Sequence, residues 1–244
     1  MKHRDEHSGL EREIGAAARE AGADLSAADA ELLATHLRMV LAANERLNLT
    51  RIDTPSAAIR LHVADSLAAV RDLAPAPSGC LVDLGSGAGY PGIPLGVASQ
   101  RGTTLVESVG KKAEFLKECV AALGLSDRVA VFAGRVESLG RDRPGAFSAA
   151  VARAVSSLPS LVELAAPLLS TGGRFVALKG RPDAIEIERG DSASEEVGLE
   201  RVATRRFVLP GGDEHRTIIV YEKRGESSIA LPRRDGLAQR RPLA

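Results

Sequence analysis

Apolar residues recur at helical spacing throughout the first third of the chain. They repeat every three or four positions, which predicts helices over residues 10–21, 27–44 and 54–71. Ser26 is expected to cap the second of these helices, because its side chain can accept a hydrogen bond from the first helical turn. The charged residues 1–8 are expected to be disordered. The chain is therefore predicted to begin with a helical prelude.

Short apolar runs alternate with helical segments from residue 79 onward. The predicted strands are residues 81–84, 103–107, 129–132, 149–152 and 174–179. The predicted helices between them are residues 92–99, 111–123 and 158–169. Such alternation is typical of a parallel sheet with helices on both faces, and right-handed crossovers make a doubly wound α/β fold the expected result.

The alternation of strands and helices stops after residue 180. Residues 181–199 are polar and predict a loop or an irregular helix. Two further strands, 201–208 and 215–222, are joined by the turn sequence Pro-Gly-Gly-Asp, so the sheet is expected to end in an antiparallel edge. These patterns divide the chain into a helical N-terminal extension (1–78), an α/β core (79–224) and a basic C-terminal tail (225–244).

Composition and charge restrict the classes of protein to which the chain can belong. Its 244 residues include 32 Lys and Arg and 32 Asp and Glu, which argues against a globally basic nucleic-acid-binding protein but is compatible with a local basic patch. Cys80 and Cys119 lack the spacing of metal ligands, so no metal site is expected. No apolar run approaches the ~20 residues that span a membrane, and we expect a cytoplasmic protein without a membrane partner.

The first predicted strand ends in a glycine-rich turn that leads into a helix. Gly85, Gly87 and Gly89 let the backbone approach a ligand that side chains would exclude. A dinucleotide fingerprint would need its third glycine one residue later, and a P-loop would need a Lys after its glycines. Because residues 84–99 contain no Lys or Arg, the turn favours a nucleoside ligand without a phosphate chain.

Two carboxylates accompany the glycine turn. Glu107 ends the next predicted strand, 20 residues after Gly87, where a carboxylate can accept hydrogen bonds from the ribose hydroxyls of an adenosine. Asp83 lies where the first strand meets the turn, and is expected either to orient the turn or to meet a cationic group of the ligand. Together the turn and the carboxylates favour S-adenosylmethionine, an adenosine that carries a sulfonium and an amino acid.

Several short motifs occur in the order and spacing of one known protein family. They include His-x-x-Asp-Ser-Leu over residues 62–67 and the unusual Pro-Gly-Ile-Pro continuation of the glycine turn at 91–94. Further matching segments are residues 44–50, 106–112, 134–137, 152–155 and 177–180, with a weaker echo at 232–243. On these motifs the sequence resembles the bacterial 16S rRNA guanine-N7 methyltransferase G family, formerly called glucose-inhibited division protein B.

The resemblance implies a fold, a cofactor and a reaction. The implied fold is that of the class I S-adenosylmethionine-dependent methyltransferases, a Rossmann-like, mostly parallel sheet, with a helical N-terminal extension. The implied reaction transfers a methyl group to N7 of one guanine in the decoding-region loop of 16S rRNA, in the RNA itself or in a small-subunit assembly intermediate. The residues that the resemblance places against the cofactor are Gly85, Tyr90, Val136, Glu137 and Arg153, with Glu107 on the ribose.

The implied reaction needs little acid–base chemistry, so no catalytic residue is assigned. Guanine N7 has a free lone pair and no proton to lose, and positioning is expected to dominate. Arg153 and Lys179 end neighbouring strands and are the candidates for positioning the base. His62 and Asp65 share a helix face and are expected to buttress the glycine turn, to touch RNA or to pack as a pair. The candidates for RNA contact are Lys111, Lys112, Lys179, Arg205, Arg206, Arg233 and Arg234.

Two other functions are compatible with the glycine turn alone. A small-molecule methyltransferase of the same fold would have a closed pocket with more aromatic residues and no need of the basic tail. A non-catalytic S-adenosylmethionine-binding module would use the helical extension to hold a protein partner. In each case we expect the chain to be a monomer.

Overall fold

The computed structural model describes the backbone of residues 2–244 and the side chains of residues 9–244. Residues 1–8, for which disorder is expected, lie outside the part of the chain whose side chains are described. The described α-helices are α1 (Lys2–Glu20), α2 (Ala27–Leu47), α3 (Pro55–Ala58), α4 (Asp65–Leu67), α5 (Val70–Leu73), α6 (Gly92–Ser99), α7 (Gly110–Ala122), α8 (Val136–Asp142), α9 (Leu158–Ala165), α10 (Ala184–Glu196) and α11 (Leu237–Arg240). None of them is long and apolar enough to cross a membrane.

The described strands form one seven-stranded sheet in the order β3-β2-β1-β4-β5-β7-β6. They are β1 (Leu81–Leu84), β2 (Thr103–Glu107), β3 (Val129–Ala133), β4 (Phe147–Arg153), β5 (Leu169–Lys179), β6 (Leu199–Val208) and β7 (His215–Lys223). Strands β1 to β5 pair in parallel, and β7 is antiparallel to both β5 and β6. The predicted antiparallel edge is thus a β6–β7 hairpin in which the inner strand, β7, runs against the others.

The order of the strands reverses between β1 and β4, which pair directly, with Asp83 opposite Val151. In open α/β sheets, ligands bind outside the carboxyl ends of the strands at such a switch point. The glycine turn leaves β1 at this edge, while Glu107 and Arg153 end β2 and β4 at the same edge. The topology therefore brings the predicted turn and two predicted site residues together.

Helices cover both faces of the sheet with buried apolar side chains. On one face Leu37 of α2, Ile93 of α6 and Leu116 of α7 belong to a single core. On the other face Leu161 of α9 and Phe175 of β5 belong to a second core. Because the N-terminal helices share their core with α6 and α7, they hold the segment that follows α2 against the carboxyl edge of the sheet.

Most of the predicted elements are confirmed. All seven predicted strands are present, and β5 begins five residues before the predicted start at residue 174. Ser26 caps α2 as predicted, since its Oγ accepts a hydrogen bond from the backbone N–H of Asp29 at 3.1 Å. Local periodicity therefore predicts the elements well where apolar residues mark one face.

The prediction of a single regular helix over residues 54–71 is wrong, because the segment is broken into shorter helical pieces. The segment consists of α3, a π-helix (Ile59–Ala64), α4 and α5. The guanidinium of Arg153 donates to the carbonyl oxygens of Leu61 at 3.1 Å and His62 at 3.5 Å. A side chain that inserts into the carbonyl ladder of a helix interrupts its regular bonding, and π-helical turns are frequent at functional sites.

The loop or irregular helix predicted for residues 181–199 is a regular helix, α10. Asp183 caps it by accepting a hydrogen bond from the backbone N–H of Glu186 at 2.7 Å. At Gly190 a Cβ would lie 2.6 Å from Leu158 Cδ2, so α10 packs closely on α9. Packing against α9 thus stabilises a polar segment with a glycine in its interior. Two short helices, α8 and α11, were also missed by the sequence pattern.

Candidate active site

The glycine turn is held in place by Asp83, which is fully buried at the end of β1. Asp83 Oδ2 accepts a hydrogen bond from the backbone N–H of Gly92 at 3.0 Å. A Cβ at Gly92 would lie 2.6 Å from the same oxygen, so the close approach requires glycine. Gly85 and Gly87 have φ values of +75° and +57°, which L side chains rarely adopt. Of the two roles expected for Asp83, this geometry supports orientation of the turn.

The buried Asp83 carboxyl predicts a pH dependence of stability. Burial raises its pKa from 3.8 to about 7. The protonated carboxyl therefore stabilises the fold below about pH 4, and this contribution is lost as the pH rises through about 7. Asp83→Asn stays neutral and keeps an oxygen acceptor for Gly92. We expect the difference between its unfolding free energy, measured in urea, and that of the unaltered chain to shift in favour of the variant as the pH rises from about 4 to about 7. A difference that stays constant over this range would contradict the prediction.

Glu107 grips the glycine turn from the end of β2. Its Oε2 accepts a hydrogen bond from the backbone N–H of Gly87 at 3.0 Å, and its Oε1 accepts one from that of Val109 at 2.7 Å. No described heavy atom beyond its chain neighbours lies within 4 Å of the position that a Cβ on Gly87 would take. The turn therefore forms an open cradle of backbone beside a nearly buried carboxylate.

A cavity of about 590 Å³, here called the main cavity, opens at the carboxyl edge beside this cradle. Thr50 and His62 from the N-terminal part of the chain form part of its wall. A side cavity of about 80 Å³ adjoins it and shares Gly85, Ser108 and Val155 with it. The main cavity has the volume of a typical small-molecule site.

Two histidines flank Tyr90 beneath the main cavity. The ring of His62 stacks on Tyr90 with centroids 4.7 Å apart, and His36 lies 4.7 Å away from Tyr90 at a tilt. Because Arg153 Nη2 can only donate to His62 Nδ1, at 3.4 Å, the His62 proton lies on Nε2, which bonds Thr50 Oγ1 at 2.9 Å. Burial lowers the pKa of His62 to about 3, assisted by the Arg153 charge, and that of His36 to about 4. Both rings are therefore neutral at neutral pH.

Asp65 joins two arginines that line the main cavity. Its Oδ2 accepts a hydrogen bond from Arg153 Nη1 at 3.1 Å, and its Oδ1 accepts one from Arg216 Nε at 2.8 Å. The Asp65 side chain is 6% exposed, against 14% for Arg153 and 20% for Arg216. This arrangement, here called the Asp65 clamp, fixes both guanidinium groups at the wall. Of the roles expected for His62 and Asp65, support of the glycine turn fits His62, which stacks on Tyr90, whereas Asp65 holds the two arginines.

The basic residues predicted at the carboxyl edge differ in their availability. Lys179 lines the main cavity, but its Nζ donates to the carbonyl of Ser156 at 3.0 Å and pairs with Glu186 at 2.8 Å. Lys112 also lines the cavity, and Lys111 beside it is exposed. Neither of these two lysines has an ion-pair partner within residues 9–244. Lys179 therefore holds the loop after β4, whereas Lys111 and Lys112 remain open to an external anion.

Two of the predicted RNA-binding arginines are bound within the protein. Arg205 Nη2 donates to Asp72 Oδ2 and to the carbonyl of Ala68, both at 2.5 Å. Arg233 forms a bidentate ion pair with Glu163, which is almost fully buried. Arg206 and Arg234 are exposed, and their side chains make no hydrogen bond in the described part of the chain. The structure thus separates the arginines that hold the fold from those that face solvent.

Comparison with known proteins identifies the family. Residues 29–215 match the family model of rRNA small subunit methyltransferase G. This chain belongs to the rRNA small subunit methyltransferase G family. The methyltransferase G of Deinococcus radiodurans is 40% identical over 216 residues, which cover 87% of this chain and 85% of that protein. The methyltransferase G of Chloroflexus aggregans is 42% identical over 203 residues, which cover 82% of this chain and 84% of that protein.

Solved structures share the fold of this methyltransferase G chain. An O-methyltransferase from Bacillus cereus in complex with SAH matches with a TM-score of 0.55 at 19% identity, covering 78% of this chain and 91% of that one. A geranyl diphosphate methyltransferase in complex with GPP and sinefungin matches with a TM-score of 0.57 at 17% identity, covering 69% of this chain and 80% of that one. The class I fold is confirmed. The chain is an S-adenosylmethionine-dependent rRNA methyltransferase, as the family resemblance implied.

The residues predicted to contact the cofactor, from the glycine turn and from the family resemblance, lie in the walls of the two cavities with one exception. The main cavity contains Gly85, Gly87, Tyr90, Glu107 and Arg153, and the side cavity contains Val136 and Glu137. Gly89 is in neither wall. A Cβ there would lie 2.7 Å from Ile93 Cδ1 and 2.9 Å from His36 Nε2, so Gly89 allows the turn to pack on α2.

Two polar residues of the main cavity, Thr50 and Arg216, were given no role at the predicted site, although Thr50 ends the matching segment 44–50. Thr50 reaches the cavity because α1 and α2 dock on the sheet, and no local periodicity marks it. Arg216 lies in β7 beside Thr217, which pairs with Lys179 at the end of β5. Only the antiparallel insertion of β7 brings Arg216 to the carboxyl edge, so the pairing of the strands was the missing information.

The geometry fits S-adenosylmethionine, the cofactor of this fold and family. The open space above Gly87 and the adjacent Glu107 carboxylate suit a ribose, which presents hydroxyl donors to an acceptor. The described residues contain no cluster of three His, Cys, Asp or Glu side chains that could hold a metal ion.

Proposed function

We propose that this chain transfers a methyl group from S-adenosylmethionine to N7 of a guanine in the decoding-region loop of 16S rRNA. The observation that supports it is the main cavity of a methyltransferase G family member, with the glycine cradle and Glu107 at one side and the Asp65 clamp at the other. On this proposal the cavity holds the ribose and methionine of the cofactor, and the side cavity holds its adenine.

The bound cofactor supplies a methyl group on a sulfonium, which is reactive toward a lone pair. The residues of the main cavity are required only to position the base, because guanine N7 needs no proton removed. Arg153 and Arg216 present N–H donors, and guanine O6 is an acceptor next to N7. His62, neutral and stacked on Tyr90, gives the same wall a flat aromatic surface. No side chain is assigned a general-base role.

Methyl incorporation tests this proposal directly. Labelled S-adenosylmethionine is supplied with 16S rRNA, both as RNA alone and as assembled small subunits that lack the modification. We expect label at one guanine of the decoding-region loop, mapped by strand cleavage at 7-methylguanosine. Retained cofactor binding without label in either substrate would favour a non-catalytic binding module, and label confined to small molecules would favour a small-molecule methyltransferase.

The RNA interface that we propose surrounds the mouth of the main cavity and includes Lys111 and Lys112. These lysines open α7, where cations oppose the helix dipole, so their placement suits an external anion such as a phosphate. Lys179, Arg205 and Arg233 are assigned internal roles because their charges are already paired, and Arg206 and Arg234 stay as outlying candidates. We further propose that the helical extension and the core act as one monomeric cytoplasmic enzyme.

Lys112→Ala is expected to weaken RNA binding and its salt dependence. Each lost phosphate contact lowers the slope of log affinity against log salt by about 0.7 to 0.9. The measurement is a filter-binding titration at several salt concentrations. Lys117→Ala is the matched control, since Lys117 lies on the same helix and pairs with Glu114 at 3.2 Å. Equal slopes for the two variants would remove Lys112 from the interface.

A further inference from the structure

The C-terminal segment from Leu231 to Arg241 carries four arginines, yet it is docked on the protein rather than extended from it. Arg233 Nε donates to Glu163 Oε1 at 2.7 Å, and the side chain of Glu163 is only 3% exposed. Asp235 pairs with Arg141 at 2.6 Å. Ala238 is buried in the core of the second face. The segment is therefore a fixed part of the fold.

The docked segment ends at the side cavity. The backbone N–H of Gly236 donates to Glu137 Oε1 at 2.6 Å, and Glu137 is a wall residue of that cavity. Gln239 of α11 lines the same cavity, together with Gly85 and Val155, which the side cavity shares with the main cavity. The segment thus forms part of the wall of the side cavity, which the Asp65 clamp does not line.

The chemistry of Gln239 suits a purine edge. A side-chain amide carries one acceptor and two donors, and Gln pairs with adenine by accepting from N6 and donating to N7. Gln239 Oε1 lies 3.4 Å from an Arg135 guanidinium nitrogen, which holds the amide at the cavity mouth. A hypoxanthine has an acceptor in place of the N6 amino group, so it can take only one of the two hydrogen bonds.

We propose that the segment from Leu231 to Arg241 is the outer wall of the adenine subsite and that Gln239 reads the adenine edge. The inference rests on the proposed function for the identity of the cofactor. It assigns the segment to cofactor recognition, held there by the ion pair between Arg233 and Glu163, and leaves Arg234 as the segment's outlying candidate for RNA contact. Gln239 is a specificity-determining residue in this arrangement.

Calorimetric titration with two ligands tests the assignment. The ligands are S-adenosylhomocysteine and S-inosylhomocysteine, which differ only at the purine edge. For Gln239→Ala we expect the Kd of S-adenosylhomocysteine, which loses two hydrogen bonds, to rise about tenfold, and that of S-inosylhomocysteine, which loses one, to rise by less, so that discrimination between the two falls. Arg234→Ala removes a charge from the same segment outside the cavity, and is expected to leave both Kd values within about twofold.

A truncation tests the wall as a whole. Ending the chain after Ala230 in a Glu163→Gln background avoids leaving the Glu163 charge buried without Arg233, and thermal melting verifies that this variant is folded. We expect its Kd for S-adenosylhomocysteine to rise at least as much as that of Gln239→Ala. Unchanged discrimination in Gln239→Ala would overturn the inference, as would a loss of RNA affinity with cofactor affinity intact in the truncated chain. Failure of the unaltered chain to bind S-adenosylhomocysteine would overturn the proposed function as well.

Discussion

Asp65→Ala is expected to lower the unfolding free energy by about 3 kcal/mol and to slow methyl transfer even in the folded protein. The substitution leaves the guanidinium groups of Arg153 and Arg216 without their shared carboxylate, in a wall where both are mostly buried. Because an unpaired charge is more stable in water than buried, both side chains are expected to move into the main cavity. Arg153 also holds the π-helix through the carbonyls of Leu61 and His62, so its displacement loosens the wall as well.

Glu222→Ala is the control that distinguishes a positioning role of Asp65 from an effect on stability alone. Glu222 also joins two arginines, Arg174 at 3.0 Å and Arg224 at 2.5 Å, but it lies at the opposite end of β7 from Arg216. Urea unfolding measures the stability of each variant, and single-turnover methyl transfer at saturating RNA and cofactor measures the rate. We expect a slower rate, by about 100-fold, only for Asp65→Ala, as misplacement near a reacting group produces. Equal rates for the two folded variants would reduce Asp65 to a structural residue.

Glu107→Ala is expected to raise the Kd for S-adenosylhomocysteine by about 50-fold. Hydrogen bonds to a charged group contribute about 1.5 to 3 kcal/mol, and each 1.4 kcal/mol is about tenfold in affinity. On the proposed function the carboxylate accepts from the ribose, and it also binds the backbone N–H groups of Gly87 and Val109. The variant therefore loses both the ligand contact and the support of the glycine cradle. Calorimetric titration measures the loss.

Two variants bracket the Glu107 result. Glu107→Gln keeps one oxygen acceptor without the charge, and its Kd is expected to lie between those of the unaltered chain and Glu107→Ala. Glu114→Ala removes a carboxylate from the exposed side of α7, where it pairs with Lys117, and is expected to bind as the unaltered chain does. A change below threefold in Glu107→Ala would show that the ribose is bound elsewhere.

The glycine turn and β2 could be predicted from local sequence because their causes are local, whereas α8, which carries Val136 and Glu137, was missed. The strand-to-helix transition at the glycine turn follows from three glycines at alternate positions and the apolar run before them. Glu107 could be placed because it ends the next strand at a known distance along the chain. The fully buried Asp83 also lies within this turn, so its role could be narrowed to two alternatives. Where periodicity was weak, as in α10, packing against Leu158 decided the structure.

The acceptor side of the cavity could not be predicted, because its contacts join distant parts of the chain. Asp65 and Arg216 are separated by 151 residues, and they meet only because β7 inserts between β5 and β6. Arg233 and Glu163 are separated by 70 residues, and that pair changes a predicted RNA contact into a support of the fold. A sequence shows that a residue carries a charge, but not which carboxylate lies beside it.

The sequence alone thus predicts the strands, the strongly periodic helices and the nucleoside chemistry of the glycine turn, since these depend on residue spacing and on the backbone freedom of glycine. Only the folded structure shows which partner each charged side chain binds. Arg153 and Arg216 are held at the cavity by Asp65, and Arg233 is bound to Glu163, while Lys112 stays open to solvent at the cavity mouth. The physical reason is that a charge binds the nearest opposite charge in space, and only the packing of helices on the sheet sets that distance.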